Sequence, residues 1–155
     1  MKRSFLVAAV ALVATMTFPI AYAAACKPQQ RDFASLRRAT ARFHDVDKAI
    51  ASGRVDLHLC VDMMGQHYAN PETFGDGHLD PNDPEAMVYA DDGHGHLRLV
   101  AVEWVSTTPG RVMNVPLHYN PSVELYVLHA WIWAPNPDGV FADMNPRIGD
   151  CPRAA

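Results

Sequence analysis

The spacing of hydrophobic positions along the chain changes at Gly53. Before Gly53, apolar residues recur about every 3.6 positions over residues 32–52, which is the period of an amphipathic helix, and Asp32 is placed to cap its start. After Gly53, apolar and polar residues alternate as they do in half-buried strands. The clearest such segments are residues 55–61, 97–106 and 122–134. This order predicts an α+β fold in which one N-terminal helix packs on a curved antiparallel sheet or a small β-barrel.

Residues 1–23 have the layout of a secretory signal peptide. Lys2 and Arg3 precede an apolar run of 14 residues, and a small-x-small cleavage site ends at Ala23. The run is shorter than the roughly 20 residues that span a bilayer, and no second run of that length follows. The sequence therefore predicts a single exported α+β domain, residues 24–155, that is periplasmic or secreted and has no transmembrane segment.

The net charge of the chain argues against some classes of binding partner. The formal net charge is −4, and it becomes −6 when the two basic residues of the signal peptide are removed. An acidic chain without a basic stripe argues against nucleic acid as a partner, because binding to phosphates depends on clustered lysine and arginine. A metal ion or a small molecule is the expected partner class.

Three cysteines raise the question of a disulfide, which exported proteins normally form. Cys60 ends an apolar run and Cys151 lies near the C-terminus, so a Cys60–Cys151 bond would hold a tail that otherwise frays. Pairing of Cys26 with Cys60 is the alternative. If Cys26 is unpaired, it is either a free thiol or, because it follows a weak lipobox-like string, the site of a lipid anchor.

Two strands each place one ionisable residue on a face that is otherwise apolar. Glu103 is in phase with apolar positions such as Leu99, and His129 is in phase with apolar positions such as Trp133. A buried carboxylate costs several kcal/mol unless it is paired, protonated or bound to a cation. If the two faces meet across the sheet, we expect Glu103 and His129 to satisfy each other or to share a ligand.

Two further histidines extend this candidate site. His67 follows the first strand, and His118 lies in the irregular segment 108–119. Imidazoles and a carboxylate that leave a coordination position open suit a divalent metal such as zinc, or iron. Ligands that come from separate strands have no fixed sequence spacing, so the identity of the metal stays open. The predicted ligands are His67, Glu103, His129 and His118.

A second interpretation of the same residues is structural. In it the chain is a non-catalytic structural or interaction domain, and Glu103 and His129 form a buried hydrogen-bonded pair. The sequence contains no nucleophile elbow, Gly-rich phosphate loop or CxxC pair that would mark an enzyme class. As an enzyme, the chain would use Glu103 as a general base or ligand and His67 and His129 as ligands or acid–base partners, in hydrolytic or oxidative chemistry.

Several segments resemble a family of uncharacterised secreted bacterial proteins. They are MGQHYANP at 64–71, LDPNDPEAMVY at 79–89, LRLVAVEWV at 97–105 and LHAWIWAPNPDGVFADMNP at 128–146. The family motifs are MGxHYxNP, VEWV or VEYV, and LHxWxWxxNPxGxFAxxNP, and they include His67, Glu103 and His129. The resemblance implies an exported protein and marks these three residues, but the family has no assigned reaction. Met144 stands where the family pattern has Trp.

Overall fold

The computed structural model describes residues 28–151, and the predicted signal peptide (residues 1–23) and Cys26 lie outside this range. Within it, two α-helices precede eight strands, which makes an α+β fold. The strands are β1 (Val55–Val61), β2 (Gly65–Ala69), β3 (Ala86–Asp91), β4 (Leu97–Ser106), β5 (Arg111–Val112), β6 (Val115–Pro116), β7 (His118–Asn120) and β8 (Leu125–Ala130). Six of them form a curled antiparallel sheet in the order β1-β2-β3-β4-β8-β7, and β5 pairs with β6.

The helical segment is interrupted, so the prediction of one continuous helix over residues 32–52 was wrong. Its parts are α1 (Pro28–Thr40), a 3-10 turn (Ala41–His44) and α2 (Val46–Ala51). The break lies at Asp45, whose backbone is extended and whose carboxylate accepts a hydrogen bond from the Asp47 N–H at 3.1 Å. This contact caps α2 and competes with helix continuation. Asp32 lies inside α1 and does not cap it.

The helices cover one face of the sheet and form the main core with it. Leu36 and Phe43 are fully buried there, in a cluster that includes Tyr89, Trp104 and Leu128. The Tyr89 hydroxyl donates to the Phe43 carbonyl at 2.6 Å and joins the 3-10 turn to the sheet. Burial of each large apolar side chain stabilises the fold by about 1.5–3 kcal/mol. The helical segment therefore holds the sheet in place on this side and leaves its other face for a site.

The opposite face of β2, β3, β4 and β8 carries smaller apolar side chains. Ala69, Ala86, Val105 and Val127 form a buried cluster there. Leu57, Phe74 and Leu125 pack around it and are partly buried. Since the residues at the centre of this face are small, space remains above the sheet for longer polar side chains.

Simple alternation placed some neighbours of the candidate site on the wrong face. A bulge at Val100 shifts the register of β4 against β3, so Leu99 lies in the helix-covered core with Trp104 and not beside Glu103. The last strand is also shorter than the predicted 122–134, because β8 ends at Ala130.

Beyond the end of β8, the backbone turns toward the C-terminal tail. The Trp131 N–H donates to the Val140 carbonyl at 2.9 Å. Trp133 packs against the helix-covered core, and its indole N–H donates to the Thr40 hydroxyl at 3.3 Å. Strand alternation had predicted that Trp133 lies on the same face as His129. The structure places Trp133 on the helix-covered face instead.

A disulfide joins β1 to the C-terminal tail. It links Cys60 and Cys151, whose Cα atoms lie 5.8 Å apart across a sequence separation of 91 residues. This is the pair expected from the sequence, and it fits an oxidising compartment. Within residues 28–151, no helix has both the length and the apolar character that a bilayer crossing requires.

Candidate metal centre

Glu103 and His129 face each other directly across the sheet. They are register partners on β4 and β8, and both are buried, with 7% and 2% of their surface exposed. Directly opposed residues point to the same side of a sheet, with Cβ atoms about 5 Å apart. Oε1 of Glu103 lies 3.4 Å from Nε2 of His129. The convergence that the two strand patterns predicted is therefore confirmed.

His67 reaches the same place from β2, two strands away from Glu103. Between them lies β3, where Ala86 pairs with Ala69 on one side and with Glu103 on the other. The short side chains of Ala69 and Ala86 leave the imidazole of His67 free to extend across β3. Its Nε2 lies 3.7 Å from Glu103 Oε2, and one ligand atom from each of His67, Glu103 and His129 lies within 4.8 Å of the others. The structure thus brings together three of the four predicted ligands.

The distances within this cluster suit ligands of one ion better than hydrogen bonds. Separations of 3.4 and 3.7 Å exceed the range of about 2.7–3.2 Å that protein hydrogen bonds occupy. Two ligands of a tetrahedral zinc ion, each bonded at about 2.0–2.1 Å, lie about 3.3 Å from each other. His67, Glu103 and His129 could therefore together hold one metal ion.

The proton on His67 is assigned by its neighbour. Nδ1 of His67 lies 3.1 Å from the Leu59 carbonyl oxygen. A carbonyl oxygen only accepts, so Nδ1 carries the hydrogen and the Nε2 of a neutral ring presents its lone pair toward Glu103. A metal-ligating histidine usually donates its second ring N–H to a carbonyl or a carboxylate in this way.

His129 is the least satisfied polar group of the cluster. Neither of its ring nitrogens has a hydrogen-bond partner among residues 28–151, although both atoms are buried. A buried polar atom without a partner costs about 1–3 kcal/mol. Nε2 is directed at Glu103, and Nδ1 lies 3.7 Å from Oδ1 of Asp143. A cation bound at Nε2 would give one of these two nitrogen atoms a partner.

Two carboxylates control the charge of His129. Burial alone lowers the pKa of its imidazole, but the nearby Glu103 and Asp143 carboxylates outweigh burial and leave the pKa above its ordinary value. The His129 ring in turn holds the pKa of Asp143 below its ordinary value. The cluster therefore favours a positive charge, which either a proton or a metal ion can supply, and metal binding would compete with protonation.

His118, the fourth predicted ligand, lies outside the cluster. Its half-exposed imidazole places Nε2 3.2 Å from Oδ2 of Asp143, whose other oxygen faces His129. Asp143 thus stands between the two histidines. The sequence prediction missed Asp143, because it lies in the turn-rich tail where no alternation distinguishes it.

The cluster lines a cavity of about 380 Å³. This volume falls in the range of small-molecule sites. The remaining lining is largely apolar and includes Leu57, Leu59, Val61, Phe74, Val105, Leu125 and Val127. A slightly larger cavity of about 420 Å³ lies beside the disulfide, but no histidine lines it. The chemistry of the protein therefore points to the cavity that contains the cluster.

Glu85 is a second buried acid, and it lies just before β3. Its Oε2 accepts a hydrogen bond from the Val105 N–H at 3.0 Å. Burial raises its pKa to about 7, although that hydrogen bond lowers the pKa in part. This contact joins residues that are 20 positions apart, so the local sequence pattern does not reveal it. Glu85 is thus a pH-sensitive group of the fold and not a member of the cluster.

Stability is expected to fall with rising pH because of Glu85. Folding raises the pKa of this carboxyl from about 4.5 to about 7. Below pH 4.5 the group therefore does not lower the free energy of unfolding, and as the pH rises through about 7 it does. Glu85→Gln keeps an oxygen for the Val105 N–H but does not ionise. We expect the variant and the wild type to have the same free energy of unfolding at pH 4, and that of the variant to be higher by about 2 kcal/mol at pH 8. Urea unfolding at both pH values measures the difference, and the exposed Glu72→Gln is the control. An equal effect of both variants at pH 8 would contradict the assignment.

Comparison of the chain with protein-family models, with curated proteins and with solved structures finds no match. The geometry and chemistry of the site therefore carry the functional argument.

Proposed function

We propose that this protein binds a divalent transition metal such as zinc through Nε2 of His67, the Glu103 carboxylate and Nε2 of His129. Two imidazoles and one carboxylate are the ligand set of many catalytic zinc sites and of non-haem iron sites. The observation that carries the proposal is the buried His129 ring, which has no hydrogen-bond partner among the described residues and stands 3.4 Å from Glu103.

The surroundings of the ligands support a metal more than a plain ion pair. The Leu59 carbonyl would orient His67, and the Asp143 carboxylate would orient His129, as such groups do around bound metals. In the structural alternative, Glu103 and His129 would satisfy each other, but neither ring nitrogen of His129 has a hydrogen-bond partner among the described residues. The three-residue geometry thus favours metal binding over the structural pair.

The disulfide supports a location outside the cytoplasm. The Cys60–Cys151 bond is of the kind that persists in oxidising compartments. We propose, on this basis and on the sequence of residues 1–23, that the protein is exported and belongs to the family of secreted bacterial proteins that its motifs resemble. Because three protein ligands leave a coordination position free beside the cavity, the metal would be available to a second, small ligand.

Metal content is the direct test. The mature protein is purified without a His-tag and loaded with zinc. Excess zinc is removed by gel filtration, and the bound zinc is measured by inductively coupled plasma mass spectrometry. We expect about one zinc per chain in the wild type, and loss of that zinc in Glu103→Gln and in His129→Ala, because each removes one of three ligands. His96→Ala, in the exposed turn before β4, is the matched control and should retain the ion.

Asp143 provides a graded comparison within the same experiment. Asp143→Asn leaves all three ligands in place and is expected to weaken zinc binding about 10- to 100-fold without changing the stoichiometry at saturation. A folded wild type that retains no zinc, or a His129→Ala variant that retains all of it, would contradict the proposed site. The first result would favour the buried structural pair.

A further inference from the structure

We infer that the cavity binds a small aliphatic or aryl carboxylate, with its carboxylate on the free coordination position of the metal and its apolar part against the cavity walls. This inference rests on the proposed metal site and names the class of its second ligand.

The charge of the loaded site selects an anionic head group. A divalent cation held by one carboxylate and two neutral imidazoles keeps one positive charge in a buried place. Asp143 offsets part of this charge from the half-exposed edge of the site, but it does not line the cavity, so the coordination position that faces the cavity has no anion of its own. A buried net charge is costly unless it is paired, so a ligand that brings one negative oxygen donor is favoured over a neutral one.

The walls of the cavity select an apolar remainder. Apart from the three cluster residues, its side-chain lining offers only two polar groups, Asn120 and Ser122, among the residues that the structure describes. A sugar or a free amino acid carries several donors and acceptors that would be buried here without partners, at a cost for each. The lining therefore suits a ligand whose only polar end is the one that reaches the metal.

The mouth of the cavity supports the same class of ligand. Leu59, Val123 and Met144 line the cavity, yet each keeps 38–41% of its surface exposed. Exposed apolar side chains that gather at one opening mark a ligand-binding surface. Filled to the density of a protein interior, 380 Å³ holds about a dozen non-hydrogen atoms, which is the size of octanoate or a phenylalkanoate.

The test uses the cobalt-loaded protein, because the visible absorption of Co²⁺ reports its ligands. Octanoate is expected to change that spectrum in a saturable way. Acetate, which lacks the tail, is expected to bind at least about a hundredfold more weakly, because every methylene buried adds to the affinity. 1-Octanol, which lacks the carboxylate, should leave the spectrum unchanged.

A pair of surface variants separates the cavity from the metal. Val123→Asp places a charge at the mouth and is expected to weaken octanoate binding about tenfold, while the spectrum of the cobalt-loaded protein without octanoate stays as in the wild type. Val55→Asp, at a position on β1 that is also exposed (51%, against 41% for Val123) but lies outside the cavity, should change neither.

The outcomes distinguish this inference from the proposed function. If cobalt does not bind the wild type, both the proposed metal site and the proposed carboxylate ligand are overturned. If cobalt binds but octanoate and acetate are equivalent, or Val123→Asp and Val55→Asp behave alike, the apolar ligand class is overturned and the metal site stands. If the metal-free protein binds octanoate as tightly as the loaded one, contact between the carboxylate and the metal is excluded.

Discussion

Zinc at a thousandfold excess over its dissociation constant is expected to raise the free energy of unfolding by about 4 kcal/mol. The gain arises because only the folded chain brings His67, Glu103 and His129 together, from β2, β4 and β8 respectively. In the unfolded chain these ligands are separated by 26 residues or more and bind zinc far more weakly. Urea unfolding followed by tryptophan fluorescence, with zinc and with a chelator, measures the difference.

Two variants decide whether the gain comes from this site. Glu103→Gln preserves the shape of the side chain and removes its charge, and His129→Ala removes the ring, so neither variant should be stabilised by zinc. His96→Ala should be stabilised as much as the wild type, because the His96 side chain is exposed and contacts Asp92, far from the three ligands in sequence. A zinc-dependent gain that persists in both cluster variants would place the ion elsewhere on the chain.

Strand periodicity was sufficient to single out Glu103 and His129, whereas their pairing also required β4 and β8 to be neighbours, which only the structure shows. A side chain in a strand points to one of only two faces. An acid or a histidine on an otherwise apolar face can therefore be recognised from the local sequence alone. The α+β class was predictable for the same reason, since the period of the apolar pattern changes once along the chain.

Residues whose role depends on contacts between distant segments were harder to find. His67 could be named as a candidate, but its approach to Glu103 depends on the small Ala86 on the strand between them. Asp143 was missed because the tail folds back on β8 through contacts that have no period. A bulge at Val100 reversed the expected direction of Leu99, and alternation cannot locate such an insertion.

Removal of the disulfide is expected to cost about 4–5 kcal/mol of stability. The Cys60–Cys151 bond closes a loop of 91 residues, and a loop of that length loses much conformational entropy in the unfolded state. The double variant Cys60→Ser/Cys151→Ser avoids a stray thiol and should unfold at a lower urea concentration than the wild type. Replacement of Val55 by Thr, an exposed change on the same strand, is the control for β1 and should leave the midpoint nearly unchanged.

The same variant also tests how the tail reaches the site. Hydrogen bonds hold the tail near β1 besides the disulfide, from the Asn145 N–H to the Met63 carbonyl at 2.8 Å and from the Cys151 N–H to Asp62 at 2.8 Å. If these bonds suffice, Asp143 stays beside His129, and zinc affinity is unchanged although stability falls. If the disulfide is what anchors the tail, zinc binding weakens to the level of Asp143→Asn. We expect the first result, because the indole N–H of Trp131 donates to the Ala142 carbonyl at 2.6 Å and Asn145 is fully buried, so Asp143 is held from both sides without the disulfide. A loss of stability below about 1 kcal/mol would show that the loop is already restrained in the unfolded chain.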